Sequence, residues 1–225
     1  MAKANHAVRP PLLSTQLTAV EDGALTLDDD AEWTEVEVSG DHSGAVACDV
    51  DLHDVRLTRA RFTGAELLRA RLADVVIEDC DLSGAMLESV DLHRVELRDC
   101  RMSGVVFTRA RLRDVRFERC RLDGASFRMS EAERASFHES MMAGTDFYGA
   151  KLPDVRFFGC DLSGADFSTA TLKGARFHGS TVEGIKGGRA LAGIVIDSTQ
   201  LVPVSQVVLA SLGIVVDDDA EPEPR

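Results

Sequence analysis

Histidine, cysteine and aspartate recur in this chain at a constant interval, and metal sites and catalytic centres are built from these residue types. The interval is the step from Cys80 to Cys100 and from Cys100 to Cys120, and Cys160 falls on the same series. His53 and His93 are two such steps apart, as are His138 and His178. Whether any of these side chains share a metal ion or a substrate depends on the distance that one step of chain puts between them.

A ladder of glycines sets that distance. Eight glycines follow one another at the same interval: Gly44, Gly64, Gly84, Gly104, Gly124, Gly144, Gly164 and Gly184. A chain that completes one turn per repeat of this kind, without an insertion, is a solenoid. Within each repeat, a large apolar residue returns at every fifth position, as at Leu52, Leu57, Phe62 and Leu67. Four five-residue segments therefore form one coil.

Each five-residue segment reads small, polar, large apolar, polar and turn. Because alternate residues of a strand face the same side, the small and the large residue point inward and the next two residues turn a corner. Four such sides enclose a narrow square core. One inner column changes from aliphatic residues to phenylalanine along the chain: Leu57, Ile77, Leu97, Phe117, Phe137, Phe157 and Phe177. We predict an all-β solenoid.

Stacked coils lie about 4.8 Å apart, like the strands of a sheet. His53 and His93 are therefore about 10 Å apart, too far for two ligands that each stand near 2 Å from a metal ion. The cysteine column faces inward, which predicts free, unreactive thiols. The glycines stand singly, and no Gly-rich phosphate-binding loop occurs. We predict no catalytic, cofactor or metal site and a protein that is not an enzyme.

The glycine column marks only one corner of the square. A corner that requires glycine needs a positive φ, like the third residue of a type II turn. The equivalent positions on the other corners carry charged residues such as Asp54, Arg59 and Arg69. We therefore expect positive φ along the glycine corner and not along the others.

The phrases CDLSGA at 80–85 and CRLDGA at 120–125, together with the five-residue beat, resemble the bacterial pentapeptide-repeat family. The resemblance covers residues 45–184 and implies a right-handed quadrilateral β-helix. The uninterrupted coils resemble the loop-free mycobacterial type of fluoroquinolone-resistance protein rather than the plasmid-borne type with projecting loops. The best-understood members resemble B-DNA in width and charge and bind DNA gyrase or topoisomerase IV in its place. The resemblance therefore implies a DNA mimic with a protein partner.

The chain divides into five segments. We predict an extended N-terminal arm over residues 1–23, an irregular capping coil over 24–44, seven coils over 45–184, a C-terminal strand and helix cap over 185–216, and a disordered acidic tail over 217–225. In the capping coil the five-residue register is lost after Leu27, and Trp33 is the candidate lid, with a partner-binding tryptophan as the alternative. Terminal coils of a solenoid must hide an apolar end and an unpaired edge.

The C-terminal segment begins with a predicted last strand at Leu191–Ile196. Asp197 and Ser198 then form a helix N-cap signal, Gly213 is a helix stop, and Ile214–Val216 returns as a strand. The apolar face of the helix consists of Leu201, Val207, Val208 and Leu212. This face would close the open end of the stack. The same face could instead pair two molecules, as C-terminal helices do in some proteins that the chain resembles.

The net charge of −13 is unevenly distributed. Residues 45–184 carry 23 acidic against 20 basic residues, so the coils are nearly neutral. A composite acidic stripe is the candidate partner surface, and it consists of Asp28, Asp29, Asp30, Glu32, Asp74, Glu78, Asp79 and Asp81. The coil at residues 105–124 instead carries a belt of arginines, namely Arg109, Arg111, Arg113, Arg116, Arg119 and Arg121. Because these point from four faces and lack exposed aromatic neighbours, no direct nucleic-acid binding is expected.

These observations favour a non-enzymatic protein-interaction rod. A DNA-mimicking modulator or protector of gyrase or topoisomerase IV is the more specific hypothesis, and a scaffold with an unknown protein partner is the alternative. No apolar window reaches the length of a membrane span, and the stretch from Met1 to Leu17 lacks the apolar core of a secretion signal. Cysteines at buried positions suit a reducing compartment, so we expect a cytoplasmic protein without a membrane partner.

Overall fold

A computed structural model describes residues 7–20 and 25–216 of the chain. The predicted acidic tail at 217–225 lies outside the described residues, as do residues 1–6 and 21–24. The described residues form the strands β1 (Thr18–Val20), β2 (Glu32–Val38), β3 (Val46–Cys48), β4 (Asp51–Thr58), β5 (Glu66–Leu68), β6 (Arg71–Glu78), β7 (Asp91–Arg98), β8 (Arg111–Glu118), β9 (Glu131–His138) and β10 (Arg156–Phe158). Two 3-10 helices, Gly188–Leu191 and Ser198–Gln200, precede the α-helix α1 (Leu201–Ser211).

All strand pairs are parallel, and within the coils each residue pairs with the residue one repeat later. The largest sheet has the order β1-β2-β4-β6-β7-β8-β9-β10, and β3 pairs with β5. Leu57 pairs with Ile77, Ile77 with Leu97, and Leu97 with Phe117. Isolated bridges such as Asp81 to Arg101 continue the same register on the other sides. Parallel connections of this kind wind right-handed, so the fold is the predicted right-handed quadrilateral β-helix of about seven turns with a C-terminal helical cap.

Two phenylalanine columns fill the core of the C-terminal half. Rings within one column stack, with centroids 4.7 Å apart for Phe117 and Phe137 and 5.0 Å apart for Phe147 and Phe167. Rings of different columns meet edge to face, as Phe127 and Phe137 do at 5.7 Å. Burying each ring contributes about 1.5 to 3 kcal/mol, and favourable ring pairs add about 0.5 to 1.5 kcal/mol. The leucine-lined N-terminal half instead keeps a cavity of about 30 Å³.

The corner prediction is confirmed for glycine and wrong for the other three corners. The eight glycines of this column have φ between 63° and 69°, but Asp54, Arg59 and Arg69 also have positive φ, at 57°, 53° and 56°. Corner residues donate their amide N–H to the next coil, as Arg59 does to Glu78 O at 3.0 Å and Gly64 to Ser83 O at 3.0 Å. Left-handed backbone costs an ordinary residue about 1 to 2 kcal/mol, and these inter-coil hydrogen bonds enforce it.

The N-terminal cap is part of the stack, but it does not continue the regular repeat register. β2 pairs with β4, but each partner lies one position short of a full repeat, so that Trp33 lies beside Leu52 and Val38 beside Leu57. The cap is thus slightly shorter than a regular coil. Trp33 is buried, with 2% of its surface exposed, and its indole N–H donates to Thr26 O at 3.3 Å. The prediction that Trp33 covers the core is therefore confirmed.

The predicted C-terminal strands are absent from the described residues. In the range 191–196 only Val195 bridges to a strand-like neighbour, Arg176, because the 3-10 helix at Gly188–Leu191 and the positive φ of Gly193, 81°, turn the backbone away. Beyond α1, residues 214–216 form no strand either. No helix among the described residues is long and apolar enough to cross a membrane.

The predicted helix signals are confirmed. Asp197 accepts the Thr199 N–H at 2.9 Å, and the Gln200 side chain accepts the Asp197 N–H at 3.1 Å, which is a capping box. At the other end Gly213 has φ 73°, and Ile214 N donates to Leu209 O at 3.0 Å. This is a Schellman ending, in which glycine supplies the left-handed residue.

Candidate functional site

Arginine and aspartate form a repeated clamp between neighbouring coils at the corners. In each clamp the arginine lies one repeat after its aspartate and binds both carboxylate oxygens. Arg134 donates to Asp114 at 2.7 and 2.9 Å, and Arg119 to Asp99 at 2.8 Å on both oxygens. The other clamps join Arg69 to Asp49 and Arg94 to Asp74. Bidentate pairs of this kind fix geometry as well as charge, so much of the acidity of the coils is neutralised by the next coil.

The N-terminal arm, defined as the described residues 7–17, lies along one corner of the rod. Its backbone N–H groups donate to three carboxylates: Ser14 N to Asp54 at 2.8 Å, Leu12 N to Asp74 at 2.9 Å and Arg9 N to Asp114 at 3.1 Å. The Ser14 hydroxyl donates to the second oxygen of Asp54. We call Asp54, Asp74, Arg94 and Asp114, which occupy this corner in four successive coils, the corner ladder.

The three carboxylates of the corner ladder are buried, with 6%, 3% and 0% of their surfaces exposed for Asp54, Asp74 and Asp114. A hydrogen bond from Arg94 lowers the pKa of Asp74, and the Leu12 N–H acts in the same direction against the effect of burial. Burial tends to raise the pKa of Asp114, but hydrogen bonds from Arg134 and from the Arg9 N–H outweigh it, so this pKa is also lowered. Both groups stay ionised as hydrogen-bond acceptors for the arm.

The eight residues of the predicted acidic stripe lie on different sides of the rod. Asp28, Asp29, Asp30 and Glu32 are exposed at its N-terminal end, where Asp29 accepts the Cys48 N–H at 2.8 Å beside the corner of Asp49. Asp79 is exposed on the diagonally opposite corner, with Glu78 and Asp81 half-buried on either side of it. Asp74 is buried in the corner ladder. The structure therefore brings Glu78, Asp79 and Asp81 together and separates them from Asp28, Asp29 and Asp30.

The arginine belt at residues 109–121 is largely paired. Arg119 binds Asp99, Arg113 lies 3.3 Å from Glu133, and Arg116 lies 2.9 Å from Glu118. Arg109 also pairs with Glu88. The pairs of Arg109, Arg113 and Arg119 link neighbouring coils, the pair of Arg116 lies within one strand, and the belt is therefore not an open basic patch.

The histidine and cysteine columns have the placements that the coil spacing predicts. His53 and His93 lie on either side of Ala73 in the sheet, two strands apart. Within residues 7–20 and 25–216, no group of three or more histidine, cysteine or acidic residues could hold a metal ion. Cys80 and Cys160 are buried and free, and burial raises the pKa of each thiol to about 11. The prediction that the thiols face inward is confirmed for Cys80, Cys100, Cys120 and Cys160, and their low reactivity stays a prediction.

The predicted apolar face of α1 splits into a packed and an exposed part. Val207 and Val208 pack against the last coil together with Val204. Leu201 and Leu212 are exposed over 63% and 59% of their surfaces. No charged residue occurs from Ser198 to Val216. The helix therefore caps the stack with one side and presents an uncharged apolar side to the surroundings.

The comparisons with known proteins agree with this repeat geometry. A family model described as the pentapeptide repeat region matches residues 50–127 and 110–186, which together span more than half of the chain. The chain belongs to the pentapeptide-repeat family. No curated protein sequence matches it.

Solved structures of other pentapeptide-repeat proteins are similar to this chain. A trypsin-treated variant of QnrB1, a plasmid-mediated fluoroquinolone resistance protein, is 21% identical over 89% of this chain and 99% of that chain, with a TM-score of 0.46. HetL, involved in heterocyst differentiation regulation in the cyanobacterium Nostoc sp. strain PCC 7120, is 20% identical over 74% of this chain and 87% of that chain, with a TM-score of 0.27. The family assignment rests on the family model and the repeat geometry rather than on these likenesses.

Sequence reasoning missed the corner ladder and the arm that lies on it. The column of aspartates was visible at the repeat interval, but a single sequence contains no signal that joins Leu12 to Asp74 across 62 positions. The one available hint was the Pro10-Pro11 pair, which is typical of extended chain.

Proposed function

We propose that this protein is a non-enzymatic rod that binds a protein partner in the cytoplasm, and that the partner is DNA gyrase or topoisomerase IV, bound where duplex DNA would lie. The observation that carries the proposal is the uninterrupted stack of coils. Seven intervals separate Gly44 from Gly184, and at about 4.8 Å each they amount to about 34 Å. One turn of B-DNA has about this length.

The charge of the rod supports a weak form of mimicry. Duplex DNA presents one phosphate charge per about 1.7 Å of its axis, whereas many carboxylates here are clamped by arginine. In the described part of the chain, two groups of acidic residues are not clamped by arginine, one with the exposed Asp28, Asp29 and Asp30 and the other with the exposed Asp79 between the half-buried Glu78 and Asp81. A partner that binds DNA would meet these groups, and the attraction would fall steeply with salt.

A scaffold that holds a different protein partner is the second candidate function. The corner clamps favour it, since Asp49, Asp99 and Asp114 are neutralised by arginines of the following coil. A surface that is neutralised in this way suits a partner that is recognised by shape as well as by charge.

Direct binding to gyrase tests the proposal. We expect immobilised gyrase to capture the wild-type rod at low salt and to lose most of this binding when five acids of the two groups become amides, namely in D28N/D29N/D30N/D79N/D81N. The matched control has the same change in net charge at the other end of the rod: D123N/D146N/D161N/D166N/E183Q. Equal binding of the two variants would contradict the claim that these acidic groups bind gyrase. No capture of the wild type would contradict gyrase binding and favour the scaffold function.

We further propose that two molecules pair through the exposed side of α1. Leu201 and Leu212 are exposed without a charged neighbour on the helix, and burying apolar surface of this kind drives association. We expect light scattering to give the mass of a dimer for the wild type and of a monomer for L201E/L212E. T63E, which places a charge at an exposed position of the rod far from α1, should remain a dimer; a wild-type monomer at high concentration would contradict the pairing.

A further inference from the structure

The hydrogen-bond donors of the arm match the corner ladder position by position. From the C-terminal side the ladder reads Asp114, Arg94, Asp74 and Asp54, and the arm places the N–H of Arg9, Leu12 and Ser14 on the three carboxylates. The two residues that pass the coil of Arg94 are Pro10 and Pro11, which line one cavity together with Val95 and Glu96 of that coil. Proline has no N–H. A donor is therefore absent where the ladder carries a guanidinium instead of a carboxylate.

The spacing of the arm also fits the rod. Residues of a polyproline II segment rise about 3.1 Å each, so the three steps from Arg9 to Leu12 span about 9.3 Å. Two coil intervals, from Asp114 to Asp74, amount to about 9.6 Å. The ladder can thus accept hydrogen bonds from an extended six-residue segment. The segment has backbone N–H donors at its first, fourth and sixth positions and prolines at its second and third.

The arm fills this site incompletely. None of the described residues 7–20 is fully buried, and Leu12 is exposed over 69% of its surface. A cavity of about 70 Å³ lies between Val8, Pro10 and Pro11 on one side and Val95, Glu96 and Arg116 on the other, so the arm does not fill the space there. At its edge the Arg116 Nε is buried and makes no hydrogen bond among the described residues. The arm is held mainly by its backbone donors, so a segment with the same donor pattern and better side-chain contacts can compete with it.

We propose that the corner ladder is a docking groove for an extended, diproline-containing segment of a partner protein, and that the chain's own arm occupies this groove as a resident competitor. This inference rests on the proposed function only in that the rod binds a protein; it does not require gyrase. Recognition comes from carboxylates that accept backbone N–H groups, with a hydroxyl at the last position to bind the second oxygen of Asp54, as Ser14 does. Partner binding then requires release of the arm.

A fluorescent peptide with the sequence of residues 7–16 tests the groove in the full chain. L12P/S14P removes two backbone donors and one hydroxyl from the arm and leaves every groove residue in place. By fluorescence anisotropy, we expect this variant to bind the peptide roughly tenfold or more tightly than the wild type, because its own arm no longer competes. The same peptide with proline at positions 12 and 14 should not bind.

Groove substitutions complete the test. D54N/D74N added to the arm variant should abolish peptide binding, whereas D123N on another side of the rod should not change it. Circular dichroism melting confirms that each variant is folded. In the wild type, hydrogen exchange should be slower at the amides of Arg9, Leu12 and Ser14, which donate to the ladder, than at the other amides of the arm. A folded arm variant that does not bind the peptide, or that binds it equally after D54N/D74N, would overturn the groove. Either result is independent of whether the rod binds gyrase.

Discussion

At the level of single residues, left-handed backbone is imposed at all four corners, although glycine is retained throughout only one of them. Arg109, Met129 and Thr169 tolerate φ of 58°, 55° and 58° at the corner five residues after the glycine corner. A Cβ at Gly104 would meet nothing within 4 Å, so crowding does not explain the glycine column. Backbone strain is the remaining intrachain cost of replacing these glycines.

Two glycine substitutions separate strain from crowding. We expect Gly104→Ala to lower the free energy of unfolding by about 1 to 2 kcal/mol, the cost of placing an ordinary residue in the left-handed region. Gly187→Ala should cost more, because its Cβ would lie 2.5 Å from the carbonyl carbon of Phe167 in addition to the strain at φ 86°. Urea unfolding measures both values. Equal losses of unfolding free energy would show that the structure relaxes around a Cβ at position 187 and that crowding there does not lower stability.

At the level of elements, the side chain of Gln200 supplies hydrogen bonds to the last coil that a following coil would otherwise supply. Gln200 is buried, with 2% of its surface exposed, and its amide nitrogen donates to Ser180 O at 2.6 Å and to Phe177 O. In the body of the rod such carbonyls accept backbone N–H groups of a neighbouring coil. The capping box at Asp197 holds Gln200 in place. The 3-10 helix therefore satisfies the open edge that a strand was predicted to satisfy.

Substitution of this glutamine tests the capping role. We expect Gln200→Leu to lower the free energy of unfolding by about 1 to 3 kcal/mol, because it leaves the buried Ser180 carbonyl without a donor and the Phe177 carbonyl with only the Ser180 N–H. Gln206→Leu, at an exposed position of α1, is the matched control and should change stability little. Thermal or urea unfolding followed by circular dichroism gives the comparison, and an equal effect of the two substitutions would contradict the cap.

The arm shows the limit of sequence reasoning for an element outside the repeat. Pro10-Pro11 predicts an extended segment, and the structure has one. Its position depends on hydrogen bonds to Asp54, Asp74 and Asp114, which are far away in the chain. Periodicity predicts contacts between residues one repeat apart and contains no information on where a non-repeating segment docks.

At the level of the whole molecule, the constant repeat predicted the fold because each coil has the same inward and outward positions. The register of Leu57, Ile77, Leu97 and Phe117 follows from counting alone. The grouping of charges on the surface could not be predicted by counting alone. Summing charges per coil placed Asp74 with Asp79, but these residues occupy different corners, and Asp74 is covered by Arg94 and the arm.

The central claim, that the rod takes the place of DNA on a topoisomerase, is tested most directly by gyrase supercoiling of relaxed plasmid with the protein added at low and at moderate salt. We predict inhibition, or protection against a gyrase poison, at low salt, with a loss of the effect as salt increases because the contact is electrostatic. The variant D28N/D29N/D30N/D79N/D81N should have no effect at either salt concentration. Unchanged supercoiling and unchanged poisoning in the presence of tens of micromolar wild-type protein, about the limit of a specific weak interaction, would contradict the claim.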